Sequence, residues 1–85
     1  MSLERTPKKR HRKASPEILR RLAINLKRLR KSQEYTQRQL ATLCAFTTSY
    51  IGNVEQGRVN ITLANLETLA WGLDCSAEDL LRNPL

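Results

Sequence analysis

Residues 36–58 read T-Q-R-Q-L-A-T-L-C-A-F-T-T-S-Y-I-G-N-V-E-Q-G-R, and this stretch decides the fold. Thr36-Gln37-Arg38-Gln39 is a capping box: the Thr hydroxyl accepts the N–H of Gln39 while the Gln39 side chain reaches back to Thr36. A helix therefore begins at Gln37, with Leu40, Ala41 and Cys44 on its inner face. Phe46 interrupts that period, and Thr47 is a second cap. The next helix starts at Thr48, carries Ile51 and Val54 inward and stops at Gly57, a residue type that accepts the left-handed backbone common at helix ends. Two short helices are thus joined by about three residues.

Outward from this pair, Ser15-Pro16-Glu17 is a helix-start signal, because Ser caps an orphan N–H and Pro suits the first helical position. The first helix is expected to run to about Ser32. Leu19, Leu22, Leu26 and Leu29, with Ala23 beside them, line one face, and Arg20, Arg21, Lys27, Arg28 and Lys31 take the rest. On the other side, Thr62 caps a fourth helix in which Leu63, Leu66, Leu69, Ala70 and Leu73 repeat. Ser76-Ala77-Glu78-Asp79 opens a brief fifth helix ending near Arg82, whose Leu80 and Leu81 are available to close the core. The expected organisation is a basic, disordered tail over 1–14 and one five-helix, all-α domain over 15–85.

Composition agrees with one small helical core. Forty per cent of the 85 residues are hydrophobic but only four are aromatic, and the Leu and Ala fall at helical spacing, which disfavours a sandwich or barrel. Fifteen Lys and Arg against eight Asp and Glu give a net charge of +7, which suits a polyanionic partner such as nucleic acid. The charge is uneven. Arg5, Lys8, Lys9, Arg10, Arg12 and Lys13 against Glu4 place +5 of it in the first fifteen residues, so the tail either follows a DNA backbone or enters a minor groove, or is a solvated tail or leader. Cys44 and Cys75 lack metal-ligand spacing and the single His11 lies in the tail, so no zinc set can be assembled and the thiols read as buried or half-buried. No apolar run is long enough for a membrane span or a secretory signal. The tail also lacks the large apolar residues of a membrane-surface helix. The expected compartment is the cytoplasm.

The short connection, with Ala41 where the two backbones must approach, is that of a helix-turn-helix formed by helices 2 and 3, whose second helix enters the major groove of double-stranded DNA. The run Thr36–Arg58 resembles the phage-repressor-like (Xre or Cro type) family: Gln, Leu-Ala, a turn, Ser or Thr, Tyr-Ile, then Glu-x-Gly. The resemblance extends over about Leu22 to Leu81 and takes in L-x-x-L-R at Leu26–Arg30, N-I-T-L and L-x-x-L-A. It implies a compact lambda-repressor-like fold. One departure stands at the turn, where Ala45 occupies a position that is commonly Gly in this family.

Carried onto matching positions, the family's roles place Thr48, Ser49 and Asn53 on base edges, with Tyr50 and Gly52 flanking that surface. Asn can bond an adenine edge through two hydrogen bonds, which makes Asn53 the sharpest specificity candidate. Gln37, at a helix start, is a candidate phosphate ligand, joined by Thr47, Gln56, Arg58 and Asn60, which bracket the recognition helix. Arg30 and Glu55 match positions that form a structural ion pair between helix 1 and the end of helix 3. Trp71 is expected either at a subunit boundary with Leu81, Pro84 or Leu85, or in the monomer core. The function implied is a sequence-specific DNA-binding transcriptional regulator, a repressor or autoregulator, acting without cofactor as a homodimer on a pseudo-palindromic operator. The alternative is an antitoxin-like or other interaction module in which a protein partner comes first. No catalytic residues are expected, because the Ser, Cys and His lack a base or carboxylate arrangement and no glycine-rich phosphate loop is present.

Overall fold

The computed structural model describes residues 14–85. The expected tail lies outside them except for Ala14. Five helices follow in order: α1 (Pro16–Ser32), α2 (Gln37–Cys44), α3 (Thr48–Glu55), α4 (Leu63–Gly72) and α5 (Ala77–Leu81), with no strand among the described residues. Every helix starts on a hydroxyl. The side chains of Ser15, Thr36, Thr47, Thr62 and Ser76 accept the N–H groups of Ile18, Gln39, Tyr50, Asn65 and Asp79 at 3.0–3.2 Å. In α2 and α5 the box is closed in return, by Gln39 on the N–H of Thr36 and by Asp79 on that of Ser76. Those hydrogen bonds hold the Asp79 carboxyl below the usual carboxylate range, with Arg82 adding to the effect.

The first four helices also end alike. One residue adopts the left-handed backbone, and the next N–H reaches back five residues: Tyr35 to the Arg30 carbonyl, Phe46 to Ala41, Arg58 to Asn53 and Cys75 to Ala70. The left-handed residues are Glu34, Ala45, Gly57 and Asp74, with φ of 63°, 60°, 72° and 54°. Only one of these is a glycine. Ala45 thus keeps the turn geometry that Gly would adopt without strain, at a cost of roughly 1 kcal/mol for its Cβ.

The core joins Leu22 and Leu26 of α1, Leu40, Ala41 and Cys44 of α2, and Ile51 and Val54 of α3. Leu66, Leu69, Ala70 and Leu73 add the α4 segment, and Leu80 closes it from α5. Each such leucine contributes roughly 1.5–3 kcal/mol relative to exposure. Leu19 and Leu29, at the two ends of the α1 row, are half-buried. Leu63 departs from expectation. At the first position of α4 it is 78% exposed, so the buried row begins at Leu66.

Two polar side chains that the apolar pattern does not flag hold the short elements in place. Asn25, with no exposed surface, donates to the carbonyls of Leu80 and Arg82 at 3.0 and 2.8 Å, tying α5 to α1. Gln33 donates to the Leu73 carbonyl at 2.7 Å and so closes the end of α4. Gly72 lets α4 lie against α2: a Cβ there would stand 2.5 Å from the Cys44 Sγ.

Candidate nucleic-acid interface

Helix α3 is divided along its length. Ile51 and Val54 are fully buried, whereas Thr48, Ser49 and Asn53 are exposed. The capped start at Thr47 leaves the first turn at the surface, with Thr47 itself exposed. This is the presentation a groove reader needs: a helix held from behind, with short polar side chains on its open face.

The hold from behind is electrostatic as well as apolar. Arg30 donates through Nε and Nη2 to the two carboxylate oxygens of Glu55 at 2.6 and 3.0 Å, and through Nη1 to the Tyr35 carbonyl at 2.8 Å. The paired side chains are 8% and 3% exposed. Such a bidentate pair fixes orientation as well as distance. Gln37 joins the same group, its Nε2 donating to Glu55 Oε1 at 3.0 Å. The Gln37 side chain is therefore half-buried and turned toward α3. One of the two amide hydrogens of Gln37 is not engaged in this bond. Gly52 faces this amide: a Cβ at Gly52 would lie 3.7 Å from Gln37 Oε1, an ordinary contact.

Tyr50 is half-buried as well. Its ring meets Phe46 with centroids 4.8 Å apart, and its hydroxyl accepts from Asn65 Nδ2 at 3.0 Å. Nothing in the local sequence pattern marks Asn65; the long-range bond to Tyr50 gives it its place. Beyond α3, Gln56, Arg58 and Asn60 are exposed. Asn60 Oδ1 accepts the N–H of Ala14 at 3.3 Å, which brings residue 14 beside the α3–α4 loop.

Away from this surface, Trp71 is 66% exposed, which removes core burial as its role in the monomer. Leu85 is exposed, Pro84 is half-buried, and Leu81 is half-buried against the core. Burial pushes the Cys44 thiol up, and burial with the nearby Asp79 and Asp74 carboxylates does the same to Cys75, so neither is primed as a thiolate. Among the described residues no group of three His, Cys, Asp or Glu side chains could hold a metal, and no helix is long and apolar enough to cross a membrane.

A family model described as helix-turn-helix matches residues 26–80. A hypothetical transcription factor of Neisseria meningitidis is 36% identical over 63 residues, which are 74% of this chain and 59% of that protein. The control protein C.SmaI of Serratia marcescens is 38% identical over 60 residues, 71% of each chain. Among solved structures, the restriction-modification controller protein C.AhdI of Aeromonas hydrophila superposes with a TM-score of 0.70 at 35% identity, covering 73% of this chain and 94% of that one. The fold also recurs within hydroxypropylphosphonic acid epoxidase of S. wedmorenis, with a TM-score of 0.76 and 25% identity over 80% of this chain. There it accounts for only 36% of the longer protein. With its two capped helices, the three-residue turn between them and a family match spanning both, the chain belongs to the Xre/Cro-type helix-turn-helix family of DNA-binding transcription regulators.

Proposed function

We propose that the protein is a sequence-specific regulator that binds an operator in double-stranded DNA as a homodimer and acts in the cytoplasm as a repressor or autoregulator. The observation that carries this reading is the division of α3, with Thr48, Ser49 and Asn53 exposed over a buried Ile51, Val54 and Glu55. Asn53 would read an adenine through paired hydrogen bonds, while Thr48 and Ser49 serve neighbouring bases, with Tyr50 and Gly52 at the margin. Thr47, Gln37, Gln56, Arg58 and Asn60 would hold the phosphates on either side and set the register of the helix. The cationic residues before Ala14 would add sequence-independent attraction by counterion release.

The exposed side chains of Trp71 and Leu85, with the half-buried Leu81 and Pro84, are the candidates for contact with a second copy. Two copies related by a two-fold axis would present their α3 helices to successive major grooves, roughly 34 Å apart. The test is selection of duplexes from a library with a randomised centre by the full chain, followed by sequencing. The expected product is an inverted repeat with half-sites about one helical turn apart. A chain that enriches no sequence, and instead co-purifies with another protein, would support the partner-first reading and overturn this one.

A further inference from the structure

We propose that Asn65, on α4, is a positioning residue for DNA recognition: it fixes the Tyr50 oxygen so that the hydroxyl hydrogen is directed at an acceptor on the DNA. This rests on α3 being the helix that meets DNA. A tyrosine hydroxyl has one hydrogen and two acceptor sites. Asn65 Nδ2 occupies an acceptor site at 3.0 Å. The ring is held against Phe46, and the backbone N–H of Tyr50 is held by Thr47. Asn65 is fixed in turn, because its own N–H is capped by Thr62 at 3.1 Å. Ring, oxygen and donor are thus all placed, and the hydroxyl hydrogen is the one part left to turn. It sits in the first turn of α3, next in sequence to the exposed Thr48 and Ser49.

The bond does more than fill an acceptor site. Helix α3 packs on α1 and α2 but not broadly on α4, so the Tyr50–Asn65 bond directly ties the first turn of α3 to that of α4. The segment between them carries Arg58 and Asn60. An amide nitrogen can only donate, so it cannot take the hydroxyl hydrogen for itself. An acceptor at position 65 would do the reverse and draw that hydrogen away from DNA.

The experiment uses the duplex selected by the full chain, variants with each base pair replaced in turn, and duplexes with single phosphates neutralised as methylphosphonates. Affinities and melting temperatures are measured for Tyr50→Phe, Asn65→Leu, Asn65→Asp and the combinations with Tyr50→Phe. Tyr50→Phe and Asn65→Leu are each expected to weaken binding about tenfold, the loss of one hydrogen bond, and the double variant no further. Asn65→Asp keeps a bond to Tyr50 but reverses it, so a purely structural tie would be restored, whereas directed donation would be lost. The same substitution in the Tyr50→Phe background measures the added charge alone. A loss confined to one base pair assigns the acceptor to a base, and a loss abolished by one methylphosphonate assigns it to a phosphate; either supports the proposal. Losses that multiply in the double variant, or Asn65→Asp binding as the native chain does after correction for charge, would overturn it. A native chain that selects no sequence would overturn the DNA reading and this proposal with it.

Discussion

Helices α3 and α4 begin alike, each on a threonine hydroxyl, and each sends one row of side chains into the same core. Their open faces differ. On α3 the exposed side chains are Thr48, Ser49 and Asn53, all small and polar, while on α4 they include Leu63 and Trp71. Their backing differs as well: α3 is anchored by a buried bidentate ion pair, and α4 by close apolar approach at Gly72. A polar face on a fixed helix suits the hydrogen-bonding edges of bases, whereas an exposed aromatic suits protein contact. In the proposed function, one short chain would thereby separate the face that reads DNA from the face that pairs.

The largest effect is expected at the anchor of α3. Glu55→Ala strands the guanidinium of Arg30, whose side chain is only 8% exposed, and is expected to cost about 3–5 kcal/mol of stability. Thermal melting checks this, and an unchanged melting temperature would remove the ion pair from the account. On α4, Gly72→Ala pushes a Cβ to 2.5 Å from Cys44 Sγ and is expected to cost about 2–3 kcal/mol in denaturant unfolding, near the upper end for overpacking. Trp71→Ser leaves that packing untouched. It is expected to weaken the proposed dimer by about 2 kcal/mol, read by sedimentation, while the monomer melts as before. The smallest effect is a gain: Ala45→Gly relieves the left-handed Cβ between α2 and α3, offset in part by the freer unfolded chain, for a net of at most roughly 0.6 kcal/mol in melting experiments.

The starts of the helices are legible in the sequence because capping is local: a hydroxyl reaches an N–H three residues on, whatever the rest of the chain does. Their ends are less so. Gly57 announces itself, but Glu34, Ala45 and Asp74 take the same left-handed backbone without the residue that favours it, held there by the returning N–H bonds and the packing around them. Asn25, Gln33 and Gly72 are illegible for a related reason. Each answers to a carbonyl or a sulfur brought from far along the chain. Leu63 shows the opposite error: the apolar repeat of α4 includes it, yet the first position of the helix lies outside the core. At the interface, the buried spacing of Ile51 and Val54 alone dictates that Thr48, Ser49 and Asn53 share the open side. The engagement of Gln37 with Glu55, and of Tyr50 with Asn65, depends on the relative placement of helices and could not be read from spacing.

The central claim, that the open face of α3 reads bases, is tested most directly by Asn53→Ala against the selected operator and its single-base-pair variants. Asn53 is exposed, so its melting temperature should match that of the native chain. Discrimination at one base pair should fall by about 1–3 kcal/mol, with the other positions still read as before. Equal weakening on every duplex, or no change on any, would contradict a reading role for this face.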